Sequence, residues 1–122
     1  MAKTILIVDD SSTLRQVVNM ALTGAGYEVI EACDGKDALT KLNGQKFHLI
    51  ISDVNMPNMD GITFVAAAKQ IAAYKFTPVI MLTTEASDAK KQAGQAAGAK
   101  AWVIKPFQPA QMLNAVSKLI MP

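Results

Sequence analysis

Four runs of consecutive apolar residues stop abruptly at polar ones along this chain. Thr4-Ile5-Leu6-Ile7-Val8 gives way to Asp9-Asp10, Phe47-His48-Leu49-Ile50-Ile51 to Ser52-Asp53, Pro78-Val79-Ile80-Met81-Leu82 to Thr83-Thr84, and Trp102-Val103-Ile104 to Lys105-Pro106. Near-continuous apolar runs of this length read as strands covered on both faces. Glu28-Val29-Ile30-Glu31-Ala32 alternates polar with apolar, as an edge strand with one wet face does. Helical patterns fill the gaps. Serine after Asp10 starts the first helix, and Leu14, Val17, Val18, Ala21, Leu22 and Ala25 form one stripe, stopped by Gly24 and Gly26. A short helix is expected over Lys36–Leu42 and another over Ile62–Ala73. Ala86–Ala97 reads as a weak helix, because its buried face offers mostly alanine and Gly94 costs about 1 kcal/mol relative to alanine. Pro109 opens the last one, whose apolar stripe is Met112, Leu113, Val116, Leu119 and Ile120.

The pattern is β-α repeated five times, without repeats or low-complexity linkers. Such alternation implies an α/β fold with a five-stranded parallel sheet, helices on both faces and right-handed crossovers. The alternating second strand belongs at an edge. Residues 1–122 read as one domain, with the tail ending at Pro122 and leaving no room for an output domain.

Composition narrows the class. A hydrophobic fraction of 51% with 18% charged residues describes a globular chain rather than a disordered one. The apolar runs are far too short to span a bilayer, and the start resembles no signal peptide, so neither a membrane role nor export is expected. The single cysteine, Cys33, excludes an internal disulfide and fits the reducing cytoplasm. Net charge is +2, but it is unevenly spread: the first 88 residues carry −3 and the last 34, with five lysines and no acid, carry +5. Lysines without arginine clusters or interleaved aromatics make a poor nucleic-acid footprint. They read either as solvated helix faces or as a C-terminal face that meets an acidic partner.

The chemistry lies at the strand ends. In a parallel sheet the carboxyl ends share one edge, so topology alone gathers Asp9, Asp10, Asp53, Thr83 and Lys105 there. Singly, each has a plain structural reading: an acid or hydroxyl that caps a helix, a solvated lysine. Together they suggest a site. Two unit charges 4 Å apart repel by about 4 kcal/mol at an effective dielectric of 20, so three carboxylates need cations. Lys105 supplies one. A hard, oxygen-liking ion such as Mg2+ is the natural second, with the Asn55 carbonyl as a further oxygen ligand. One cysteine and one histidine give no zinc spacing. A carboxylate held beside such an ion can attack phosphorus to form an acyl phosphate, with Lys105 offsetting charge and the Thr83 hydroxyl bonding a phosphoryl oxygen. After Asp53, Asn55-Met56-Pro57-Asn58-Met59-Asp60-Gly61 is turn chemistry, with Pro57 fixing φ and Gly61 expected to accept a positive one.

Val8-Asp9-Asp10, the stretch from Ser52-Asp53 to Asp60-Gly61, Leu82-Thr83 and Lys105-Pro106-Phe107 resemble the signatures of response-regulator receiver domains, in particular the stand-alone CheY-like form. The resemblance covers essentially the whole chain. It implies a flavodoxin-like (βα)5 fold with strand order 2-1-3-4-5. It further implies that Asp53 accepts phosphate from a sensor histidine kinase, and that Asp9, Asp10, Asp53 and Asn55 bind Mg2+. Thr83 and Lys105 would bind the phosphate, Trp102 would respond to the switch, and Asn55 and Glu85 would tune hydrolysis. A Lys105-Pro106 cis peptide would match the family too. The chain would then be a monomeric switch of a two-component system rather than an enzyme acting on a separate substrate. Its protein target would meet the face made by residues 86–97, Trp102 and residues 109–120.

Three positions depart from chemotaxis relatives. Trp102 stands where they usually carry tyrosine, and its larger ring without a hydroxyl packs inward less readily. Ser11 replaces an aromatic, and Ala115 stands where a lysine is frequent. These weaken a flagellar-motor partner and leave the phosphorylation chemistry untouched. A chemotaxis-type regulator is the leading reading. Its alternatives are a phosphate sink, a non-motility adaptor, a Mg2+-dependent aspartyl-phosphate phosphohydrolase or a flavodoxin-like mononucleotide binder. His48 and Cys33 are expected to be structural or surface residues, and Met56 and Met59 to pack the loop.

Overall fold

Each apolar run forms a strand: β1 (Thr4–Val8), β2 (Glu28–Ala32), β3 (Leu49–Asp53), β4 (Val79–Thr83) and β5 (Ala101–Ile104). Helices α1 (Ser12–Gly24), α2 (Gly35–Lys41), α3 (Gly61–Lys69), α4 (Asp88–Ala97) and α5 (Pro109–Leu119) alternate with them. This computed structural model describes residues 3–54, 56, 58–83, 88–105 and 108–120, the side chains of 88–91 and 94 excepted. All pairings are parallel and the strand order is β2-β1-β3-β4-β5, as the family resemblance implies. The alternating strand lies at the edge.

Strand pleating divides the core in two. Ile5, Ile7, Leu49, Ile51, Ile80, Leu82 and Val103 pack on Val18 and Leu22 of α1 and Met112 and Val116 of α5. Leu6, Val8, Ile50, Val79 and Met81 face the other way, onto α2 through Ala38 and Leu42 and onto α3 through Phe64, Val65 and Ala68. Central strands buried on both faces account for their unbroken apolar runs. No helix among the described residues is long and apolar enough to cross a membrane.

Some boundaries shift. The third strand begins at Leu49 and runs through Asp53; ahead of it Phe47 is buried, and His48 N–H bonds the Thr4 carbonyl of β1 at 2.8 Å. The expected helix 62–73 ends at Lys69, and Ala72–Tyr74 winds as a separate 3-10 turn. The stripe of α1 is narrower than its periodicity suggests: Val17 is 45% exposed. Ser11 caps α1, accepting from Leu14 N–H at 3.2 Å. His48 has a structural task, its Nδ1 accepting from Thr4 N–H at 3.0 Å where β1 begins.

Candidate functional site

Register and pleat bring the first two acids together. Val8 of β1 pairs with Ser52 of β3, so Asp9 and Asp53 are neighbours one step further along, on one face of the sheet. Both are buried, Asp9 fully and Asp53 at 6% exposure, while Asp10 is exposed. Lys105, two residues past Val103 on the same pleat face, reaches back over the edge. Its Nζ lies 3.1 Å from Asp9 Oδ2 and 3.3 Å from Asp53 Oδ2. One ammonium thus bridges two buried carboxylates from different strands.

The charge is left unbalanced. Carboxylate oxygens of Asp9, Asp10 and Asp53 lie within 4.8 Å of one another, three negative charges against one lysine. Burial, and then the charge of Asp9, push the Asp53 carboxyl above its ordinary value, with Lys105 pulling the other way. The donor set is all hard oxygen. Such closely grouped carboxylate oxygens are the donors that a hard ion such as Mg2+ takes, directly or through water.

Asp9 is fixed from several sides. Its Oδ1 accepts from Ser11 N–H at 2.8 Å, its own N–H bonds the Ala32 carbonyl at 3.1 Å, and its carbonyl accepts from the Arg15 guanidinium at 2.6 Å. Arg15 is in turn held by Glu31 at 3.1 Å. Thr83 is fully buried at the end of β4, and its carbonyl accepts Lys105 N–H at 2.7 Å. The hydroxyl-bearing residue and the lysine are therefore joined through the backbone. Asn55, Glu85, Pro57 and the Lys105-Pro106 bond lie outside the described residues.

The loop behind Asp53 is built differently from the sequence expectation. Gly61 does not take a positive φ; it is the first residue of α3, and a methyl there would overlap the Asp53 carbonyl oxygen. Glycine is needed for close approach, not for turn conformation. Among the described residues of this loop the left-handed one is Asn58, with φ of 68°. Its side-chain amide donates to Asp34 Oδ2 at 2.7 Å, while Asp34 Oδ1 caps α2 by accepting from Asp37 N–H at 2.8 Å. Those two bonds, the cap first, hold the Asp34 carboxyl below its ordinary value. Next to it, a methyl on Gly35 would come within 2.8 Å of Met59 Cβ. Met56 and Met59 pack onto the core beneath. Asp34, Gly35, Asn58 and Arg15 thus position the site, and sequence reading passed over them in that role. For Asp34 and Gly35 the signal in the sequence is an Asp-Gly pair directly ahead of a helix.

Trp102 lies away from the acids. It is half-buried against the core cluster that includes Ala99, and its buried Nε1–H has no acceptor among the described residues. A recess of about 190 Å³ opens beside it, lined by Gln95, Ala99, Lys100 and Ala101.

Comparison with known proteins places this geometry in a family. Residues 5–117 match the family described as response regulator receiver domain. Chemotaxis protein CheY4 of Vibrio cholerae has a solved structure that superposes with a TM-score of 0.95, at 48% identity over 98% of this chain and all of that one. Among curated proteins, chemotaxis protein CheY1 of Helicobacter pylori is 38% identical over 86% of each chain. Protein PilG of Pseudomonas aeruginosa is 36% identical over 92% of this chain and 83% of that protein. The chain also matches the transcriptional regulatory protein ResD of Bacillus subtilis at 35% identity, spanning 47% of its length. The family match over 5–117, together with these relatives, shows that the chain belongs to the response-regulator receiver domains of two-component signalling.

Proposed function

We propose that this chain is a chemotaxis-type, phosphorylation-activated switch of the cytoplasm, with Asp53 as phosphoacceptor and a sensor histidine kinase as donor. The observation that carries the reading is the bridging of Asp53 and Asp9 by Lys105, at 3.3 and 3.1 Å, beside the exposed Asp10. An Asp53 carboxylate oxygen attacks the phosphorus of a phosphohistidine; the new O–P bond forms as the P–N bond breaks, and the imidazole leaves and takes up a proton. Asp9, Asp10, Asp53 and the Asn55 carbonyl would hold Mg2+, which would supply positive charge for the phosphoryl oxygens. Lys105 adds a fixed ammonium, already desolvated and oriented, so little reorganisation is needed as charge develops. In this reading Thr83, buried at the end of β4, bonds a phosphoryl oxygen, and Glu85 tunes hydrolysis.

The chemotaxis assignment is supported by the similarity to CheY4 and CheY1, both named as chemotaxis proteins. The output surface is assigned to the face made by α4, Trp102 and α5, where an indole N–H without an acceptor among the described residues and an alanine-rich helix favour rearrangement. Labelling with phosphoramidate in Mg2+ tests the reading. The parent chain should take up one phosphoryl group per molecule and Asp53→Asn none; equal labelling of the two would refute the assignment.

A further inference from the structure

Apart from Lys36 and Lys105 at the carboxyl edge and Glu28 at the amino edge, the described charges at the ends of strands and helices sort by sheet edge. Asp9, Asp10, Asp34, Asp53 and Asp60 lie at the carboxyl edge, at strand ends or helix starts. The amino edge, where the chain enters the strands, collects lysines: Lys46 ahead of β3, Lys69 at the end of α3, Lys75 ahead of β4 and Lys100 ahead of β5. Lysines from the middle of the sequence thus join one from its C-terminal third at this edge.

Helix chemistry explains only part of it. Lys41, Lys69 and Lys118 stand in the last turns of α2, α3 and α5, where a cation offsets the helix dipole. Lys46, Lys75 and Lys100 are in loops. Between them projects Phe76, 86% exposed, with Lys75 Nζ 5.7 Å from its ring centroid. A recess opens on each side of Phe76. One, of about 460 Å³, is bounded by 44–48 and 73–78. The other, of about 650 Å³, lies between the ends of α3 and α4 and is lined by Lys69, Lys75 and Lys100. Among the described residues neither is lined by an acid. Lys69 is pinned in place, its Nζ donating to the Thr77 carbonyl and its methylenes packed where a methyl on Gly98 would come within 3.1 Å. Burial, and then the charge of Lys100, pull its pKa down.

The geometry points to the amino edge as a docking surface for an acidic protein segment, one that places an apolar side chain against Phe76 and carboxylates over Lys46, Lys69, Lys75 and Lys100. Two recesses flanking an aromatic suit an extended chain better than a flat lipid surface, and four lysines around a single aromatic make a poor nucleic-acid footprint while complementing carboxylates in charge. The surface is separated from Asp53 by the length of the strands, about 15 Å, so a segment can stay docked while the acidic edge engages a kinase.

The test uses a fluorescein-labelled twelve-residue peptide of glutamates and aspartates around a central Leu-Phe pair, its Gln/Asn counterpart, and vesicles of phosphatidylserine with phosphatidylcholine. Titration into the 15N-labelled chain should shift amides within 44–48, 69–78 and 96–100. The double variant Lys75→Glu, Lys100→Glu should weaken binding at least about tenfold, Phe76→Ser about fivefold, and the Gln/Asn peptide should not bind. Unchanged phosphoramidate labelling of the double variant would show it folded, so failure of docking and failure of the phosphoacceptor reading are separable. Failure of the acidic peptide to bind, undiminished binding by the double variant, shifts confined to other surfaces, or tighter binding to the anionic vesicles would overturn the proposal.

Discussion

Gly61 opens α3 directly against the carbonyl oxygen of Asp53, with no room for a side chain between them. The N-terminus of one helix is thereby set by the residue that carries the proposed chemistry. Gly61→Ala must push α3 away or twist the end of β3. We expect it to cost about 2–4 kcal/mol, seen as a lower urea midpoint, and to impair phosphoryl uptake. Gly24→Ala is the control. A methyl there meets nothing within 4 Å, and the change should be neutral or stabilise by up to about 1 kcal/mol.

Lys105 holds apart two carboxylates that would otherwise face each other unscreened. Lys105→Met should destabilise the chain by about 2 kcal/mol, less than a fully buried pair because the lysine side chain retains 17% exposure. Addition of millimolar Mg2+ should recover part of that loss, since an ion bound only by the folded state stabilises it. Urea unfolding with and without the ion measures both effects.

The raised pKa of Asp53 fixes the sign of a pH effect. Between the ordinary carboxylate range and its raised value, the folded chain keeps a proton that the unfolded chain has released. Stability from this group therefore falls as pH rises through that window, and the penalty is complete above it. Asp53→Asn removes the penalty, so its Tm should exceed the parent's at pH 7. Each 1 kcal/mol regained corresponds to about 4 °C for a chain of this size. Below about pH 3.5, where the carboxyl is protonated in both states, the Asp53 contribution to the difference should vanish. Thermal unfolding across the pH range measures it.

The sequence made the sheet and its polar edge legible for a simple reason. Central parallel strands must be apolar on both faces, so the first aspartate, threonine or lysine after each run marks where the edge begins. The convergence of Asp9, Asp53 and Lys105 follows from that and from register. Close approach left no comparable trace. Gly61 reads as a turn glycine, yet its reason is a carbonyl oxygen eight residues earlier in the chain. The bond between Asn58 and Asp34 joins residues 24 apart, and neither carries a pattern that announces the other. Sorting of lysines to one edge was hidden too, because charge counted along the chain mixes loops that enter strands with loops that leave them.

Reductive trapping tests the central claim most directly. The chain is incubated with acetyl phosphate and Mg2+, treated with borohydride, digested and mapped by mass spectrometry. Reduction of an aspartyl phosphate gives homoserine, so the account predicts homoserine at position 53, dependent on both Mg2+ and acetyl phosphate. Homoserine at Asp9 or Asp10 in its place, or a stable phosphate ester on a hydroxyl with position 53 unmodified, would contradict it.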